Sequence, residues 1–350
     1  MTRIIYSVNG EGLGHATRSK PIIEHLLKKH DVKILAGYRA YDYLSKFFKV
    51  DRIHSPDIIY KRDSVNITAT ALKWILSFPF ITIPTLFKVM YMFLKFKPDI
   101  VISDFEPYSN WACNILRVPS ICYDNQHIVT NAKVEFPPRY WFSAFLDTFI
   151  IVMFMAFSEY YLITTFFYPE VRSKRTFLFA PIVRKDVLKL KPQKKDHFLV
   201  YQTSHSYDYL IPILKQLKNE KFMIYKSAHH GVDQNVVYRE FNEENFLEDL
   251  RTCKAIITNG GFSLISEALY LKKPILSVPV RGQFEQILNA IYLEKEGFGK
   301  FYGKLSKDAI ENFVKNLEKY EKSLKKFNKV GNEDVIRKME EIIKSHKNKT

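Results

Sequence analysis

Short runs rich in β-branched and aromatic residues alternate along this chain with stretches whose apolar positions recur every three to four residues. In the first half the pattern predicts strands near residues 3–8, 32–36, 99–103, 119–123 and 160–165, with helices near 14–29, 71–96, 108–117 and 139–157 between them. A polar, basic stretch containing Pro192, RKDVLKLKPQKKD (184–196), reads as a linker. The strand runs then restart as HFLVYQ (197–202), KFMIY (221–225), KAIIT (254–258) and PILSVP (274–279). Strand–helix alternation of this kind predicts an α/β fold of two Rossmann-like, doubly wound domains facing a cleft, at 1–183 and 197–330, with 331–350 a charged C-terminal helix. In such sheets ligands sit at the carboxyl ends of the strands.

Two stretches are more apolar than a half-buried helix needs. In RYWFSAFLDTFIIVMFMAFSEYYLITTFF (139–167), Asp147 and Glu159 bracket an uncharged run, 148–158, that is short of the roughly 20 residues of a spanning helix. It reads as a buried or surface-seeking helix. In LKWILSFPFITIPTLFKVMYMFLKFK (72–97), prolines at 79 and 84 are expected to break any single long helix. Its later part sets Lys88, Lys95 and Lys97 among Phe87, Met90, Tyr91 and Phe93, a pattern that suits a membrane surface. Packing against the domain core is the reading preferred.

Composition adds a charge. The 350 residues carry 53 Lys and Arg against 37 Asp and Glu, a net +16 spread over both halves. Such a chain is drawn to anions, among them anionic headgroups and phosphorylated substrates. It lacks the aromatic-interleaved basic stripe of a nucleic-acid binder, so no nucleic-acid partner is expected. The 47% hydrophobic content excludes a disordered or fibrous protein. Cys113, Cys122 and Cys253 form no metal-ligand spacing and leave an odd count, which fits a reducing cytoplasm. The opening MTRIIYSVNG is a strand entering a glycine turn, without the apolar core and cleavage site of a secretory leader.

Two glycine loops carry the candidate chemistry. NGEGLGHATRS (9–19) follows the first strand with Gly10, Gly12 and Gly14, so a ligand can approach backbone amides at a helix start. The spacing is wrong for a dinucleotide fingerprint, the second strand ends without the acidic residue that motif requires, and no G-K-[ST] follows. His15 at this strand-to-helix turn is suited to take a proton from a hydroxyl; otherwise it caps the helix or bonds backbone. Asp104, closing the strand in VISDFEP, is placed to orient that imidazole or to cap the next helix. In TNGGFSLISEALYLKKPILSVPVRGQFEQILNA (258–290), a strand ends in Asn259, Gly260 and Gly261 before a helix with Ser263 in its first turn. Its first amides suit a diphosphate. Glu267, one turn on, can accept two hydroxyl hydrogen bonds of a ribose. Glu285 and Gln286 bring sugar-binding groups to the mouth of the same cleft.

This second segment resembles the donor-site signature of GT-B glycosyltransferases that use nucleotide sugars, and is similar to the MurG-type lipid-linked N-acetylglucosamine transferases (family 28-like) and the UDP-glycosyltransferases. The signature H-C-G-W-N-S-x-x-E is matched by Asn259, Gly261, Phe262, Ser263 and Glu267, with Asn259 and Ser263 replacing the family's histidine and asparagine. The resemblance implies that Glu285–Gln286 holds the donor sugar and that Phe241 and Asn242 line the base. GEGLGHATR resembles the family's first glycine loop, which makes His15 the expected base and puts Gly12, Gly14 and Arg18 on the acceptor side. VPSICYDNQH resembles a stretch near the acceptor cleft and adds Asn125 and Gln126.

The function implied is transfer of a sugar from a nucleotide sugar, with a lean to UDP, to an acceptor hydroxyl of a glycan or lipid-linked molecule. Inversion at the anomeric carbon is expected. No D-x-D triplet occurs, so neither metal nor cofactor is expected, and the helix amides meet the leaving diphosphate. Peripheral contact with an anionic membrane, at the inner face of the cell membrane, is the expected setting. Two other readings stand beside it. G-L-G-H-A-T-R also resembles the G-x-G-H-x-x-R loop of a UDP-sugar hydrolase of the same fold, in which the histidine activates water. A binding protein without turnover is the third.

Overall fold

The strand runs are apolar almost throughout, the mark of parallel strands covered on both faces. The structure, a computed structural model, describes residues 1–56, 58–61, 64–155, 157–202, 207–225 and 231–347. It divides into two compact units. One comprises Met1–Ile59, Asn66–Ile182 and Val330–Thr350, the other Tyr60–Val65 and Val183–Lys329.

In the first unit the strands are β1 (Arg3–Val8), β2 (Asp31–Gly37) and β3 (Val50–Ile53); the chain then contributes the hairpin β4 (Tyr60–Lys61) and β5 (Ser64–Val65) to the second unit. It returns for β6 (Ile100–Asp104), β7 (Ser120–Asp124), β8 (Tyr160–Thr164) and β9 (Thr176–Phe179). Their order, β3-β2-β1-β6-β7-β8-β9, is parallel throughout, and its direction reverses between β1 and β6. Register there pairs Val8 with Asp104, so the loop after β1 and the end of β6 emerge side by side. Ile4, Tyr6, Ile34, Ile102 and Tyr123 build one core layer, and Ile5, Leu35, Val101 and Tyr108 the other.

The second unit holds β10 (Phe198–Tyr201), β11 (Phe222–Tyr225), β12 (Gly231–Asp233), β13 (Val236–Arg239), β14 (Ala255–Thr258), β15 (Ile275–Ser277) and β16 (Gly299–Phe301). Its order is β12-β13-β11-β10-β14-β15-β16, with only β12 antiparallel to its neighbour. The reversal here lies between β10 and β14, where Tyr201 pairs with Thr258. Each unit therefore sets a glycine loop at its own switch point, where this fold class takes ligands.

Three features differ from the pattern read along the chain. Residues 184–196 are bound into the second unit: Gln193 and Lys195 donate their amides to Arg251 and Thr252 carbonyls at 3.0 and 2.7 Å. The helix Asn332–Lys347 is not set apart; Val335, Met339, Ile342 and Ile343 pack into the first unit's core, and Glu340 meets His25 and His30 at 2.8 and 3.2 Å. The prolines at 79 and 84 do not end the helix. Ile67–Ser77 passes through a π turn, Phe78–Thr82, into Ile83–Phe96 as one 30-residue rod. Ile83 donates to the Phe78 carbonyl across five residues, a widening of the helix that absorbs rings with no N–H to give.

Candidate functional site

In the first unit the helix Leu13–Leu26 starts immediately after the loop that follows β1, and Gly12 is its N-cap with no side-chain bond. A Cβ on Gly12 would come no nearer to any atom than the Gly14 nitrogen at 4.0 Å, so the small residue leaves open space over the helix start. His15 lies in this first turn. Its Nδ1 is 2.8 Å from Asp104 Oδ1 and 2.9 Å from Arg18 Nη2. A guanidinium only donates, and one ring nitrogen cannot both donate to the carboxylate and accept from the arginine. The carboxylate is the stronger partner for a donating Nδ1–H, and that leaves the lone pair on Nε2, the nitrogen a general base uses. The Phe105 ring stacks on the imidazole at 6.3 Å.

Asp104 is wholly buried and collects four donors: His15, the Nε and Nη2 of Arg18, and the Ser19 hydroxyl at 2.7 Å. Burial pushes its carboxyl up, but Arg18 and then His15 outweigh that and hold it below the usual carboxylate range. Burial also works against the Arg18 charge, and the adjacent carboxylate outweighs it. The site thus holds a fixed anion and a fixed cation against one imidazole ring. Asp104 does not cap the next helix. Glu106 does, accepting the Tyr108 and Ser109 amides at 2.9 and 2.8 Å.

Asn125 and Gln126 follow β7. Asn125 is buried and its amide donates to the Thr164 carbonyl at 2.8 Å, so this side chain is not presented to an acceptor. Gln126 is half-buried, with its Oε1 3.2 Å from the Asn125 amide. Beside them His127 Nδ1 meets Asp124 Oδ2 at 2.6 Å, and Cys122 donates to the same oxygen at 3.1 Å. Burial raises the Asp124 carboxyl, but His127 overcomes it and brings it down to about 2. Cys122, Asp124 and His127 have a metal-binding residue set. Here they hydrogen-bond to one another, with Cys122 Sγ also 3.5 Å from His127 Nδ1, and all three are buried.

In the second unit β14 ends in Asn259, Gly260 and Gly261, and Gly261 caps the helix Phe262–Tyr270 without a side-chain bond. Gly260 has φ +94°, and a Cβ there would approach Ser277 Oγ to 2.8 Å and the Gln286 carbonyl oxygen to 3.0 Å, so only glycine fits. At Gly261 a Cβ would meet nothing within 4 Å. Open space thus lies beside the start of this helix, where half-buried Ser263 contributes a hydroxyl. Asn259 donates to the Val278 carbonyl at 3.0 Å and Gln286 Oε1 accepts the Val280 amide at 3.0 Å, so both brace neighbouring loops. Glu285 lies half-buried in the first turn of the helix Phe284–Lys295.

Two placements were not legible beforehand. Glu267 is buried and clamped by Arg184, Nε to Oε1 at 2.6 Å and Nη2 to Oε2 at 2.9 Å, while Arg184 Nη1 holds Glu243 at 2.6 Å. A lone arginine opening a basic stretch gives no sequence signal for this. Asn242 caps the helix Glu243–Thr252, accepting the Asn245 amide at 3.1 Å, and so serves that helix. Phe241, by contrast, is 47% exposed and rests on Tyr201, Tyr225 and Phe246, with ring centroids 6.3, 6.3 and 5.5 Å away. An exposed ring backed by aromatics offers a flat apolar face on which a planar group can stack.

Comparison with known proteins bears on the family and the fold. A profile of the family described as glycosyl transferase family 1 matches residues 2–318. An uncharacterized glycosyltransferase of Methanosarcina acetivorans is 26% identical over 336 residues, 85% of each chain. A UDP-N-acetylglucosamine–N-acetylmuramyl-(pentapeptide) pyrophosphoryl-undecaprenol N-acetylglucosamine transferase of Bacillus cereus is 29% identical over 107 residues, covering 27% of this chain and 30% of the relative. Among solved structures, the spinosyn forosaminyltransferase SpnP superposes with TM-score 0.66 at 14% identity, covering 98% of this chain and 99% of its own. The calicheamicin glycosyltransferase CalG4 gives 0.65 at 13% identity, covering 99% and 98%. At such identities the likeness is one of fold, the GT-B architecture.

Proposed function

The chain belongs to glycosyl transferase family 1, and from that premise we propose that it moves a sugar from a UDP-sugar to an acceptor hydroxyl, with inversion and without a metal clamp. The observation that carries the reading is His15 in the turn after β1, its Nδ1 held by buried Asp104 at 2.8 Å so that Nε2 is the basic nitrogen. Nε2 takes the acceptor proton as the hydroxyl oxygen attacks the anomeric carbon and the bond to the diphosphate breaks. Asp104 stabilises the imidazolium that forms. The first-turn amides at Gly261–Ser263 meet the charge on the departing nucleotide. Phe241 stacks on the base, and Glu285 and Gln286 stand nearest the sugar. A glycan or lipid-linked acceptor and a cytoplasmic setting complete the reading, the latter supported by three unpaired, buried cysteines.

Hydrolysis of the nucleotide sugar is favoured by one observation. Arg18, the residue that completes the hydrolase-like loop, touches both His15 and Asp104. Incubation with UDP-, GDP- and dTDP-sugars in the absence of acceptor separates the two. Binding of one UDP-sugar with negligible turnover is expected. Rapid release of UDP that disappears in His15→Ala would make the protein a hydrolase, and failure to bind any of these donors would overturn the reading of the loop at 258–267.

A further inference from the structure

The segment Ile67–Phe96 carries apolar residues on its outer as well as its inner side, and most of it belongs to the surface. Thr85, Val89 and Phe93, spaced by four, face the core; Ile83, Phe87, Tyr91 and Leu94 lie on the opposite side and are exposed. Further along the rod Phe80 is 81% and Ile75 69% exposed, and only 11% of the most apolar window is buried. A second element repeats the pattern. On the helix Trp141–Phe154, Trp141, Phe145, Phe149 and Met153 form one exposed stripe. Trp74 and Phe154 bring the two together, with ring centroids 4.6 Å apart. Soluble monomers rarely leave contiguous apolar surface of this extent uncovered.

Charge selects what covers it. Residues 64–98 contain no Asp or Glu, while Lys73, Lys95 and Lys97 are exposed along the rod and Arg139 is exposed at the start of the second helix. A second copy of the chain would set these cations against their like, whereas an anionic headgroup layer complements them. The rod meets a spanning helix's length, but its second half is packed on the sheet through Val89 and Phe93, so it lies along a surface rather than crossing one. Beside its first half runs a groove of about 540 Å³ lined by Ile59, Ala69, Leu72, Leu76, Phe80 and Ile81, with Lys73 among its lining residues. That is a slot for hydrocarbon next to a cation.

We infer that this face seats the first unit in one leaflet of an anionic bilayer, with a lipid chain in the groove beside Leu72 and Phe80. The inference deepens the transferase reading by assigning the acceptor to the lipid phase, yet binding to vesicles needs no turnover, so the two fail separately. The test is flotation of the full chain with phosphatidylcholine vesicles with and without phosphatidylglycerol, at low and high salt, read with quenching of tryptophan by brominated lipid. Binding to the anionic vesicles is expected to fall about tenfold or more in a combined Leu76→Asp, Phe80→Asp, Phe87→Asp variant. It is expected to lose its anionic preference in Lys73→Gln, Lys95→Gln, Lys97→Gln. Melting temperature and UDP-sugar binding confirm that the variants fold. Absence of wild-type binding to anionic vesicles at low salt would overturn the inference. So would wild-type-like binding of the aspartate variant, or a concentration-dependent dimer that this variant abolishes while vesicles are ignored.

Discussion

At the scale of single residues, the unusual partner is Arg18. Its guanidinium lies 2.9 Å from His15 and shares the Asp104 carboxylate with it. The other charged group acting on this arginine is Asp124. Arg18 is the main charge that holds the buried Asp104 carboxylate below its usual range, so Arg18→Gln leaves that anion short of its strongest partner and is expected to cost about 3–5 kcal/mol in stability. Arg18→Lys is expected to lie closer to wild type. Urea denaturation checks this, and an unchanged midpoint in Arg18→Gln would show that the carboxylate does not depend on the guanidinium. The His15–Asp104 pairing was legible because both residues close or follow apolar strand runs, and parallel topology brings such ends together. The Arg184–Glu267 clamp, the burial of Asn125 and the capping by Asn242 were not, because each depends on where a side chain points after packing.

At the scale of elements, the loop Asn259–Gly261 has the least freedom to vary. Gly260→Ala would place a Cβ at φ +94° and against Ser277 Oγ, 2.8 Å away. We expect a loss of about 1–3 kcal/mol in stability together with weakened UDP binding, read by urea denaturation and calorimetry. Gly261→Ala, at a φ of −63° with open space, should leave stability nearly unchanged and affect binding alone. Strand runs built of consecutive apolar residues were readable as elements even at four residues, but β3 (VDRI), with two charges among its four residues, and the short runs β9 (TFLF) and β13 (VVYR) were missed. The π turn was missed for another reason. Proline argues for a break when only its missing N–H is counted, and the widened turn that tolerates it is a property of the backbone.

At the scale of the whole molecule, alternation of strands and helices sufficed for two doubly wound sheets, and the position of the glycine loops at their switch points follows from that topology. What pattern does not carry is where a distant segment returns. The charged helix near the end reads as surface because its polar face dominates composition, while Val335, Met339, Ile342 and Ile343, a few residues spaced along one side, fix it to the core that begins with β1. Ending the chain after Lys329 removes that cover. Such a truncation should leave the first unit exposed to limited proteolysis while the second retains its protected core.

That return of the chain sets an order in time. During synthesis the second unit's last residue, Lys329, is added to the chain before the helix Asn332–Lys347 that completes the first unit. The strand Arg3–Val8 therefore waits for the last part of its covering layer until the second unit has been made. Until then Ile22, Ile23 and Leu26 cover that layer without Val335 and Met339, and the unit begun first is completed after the other.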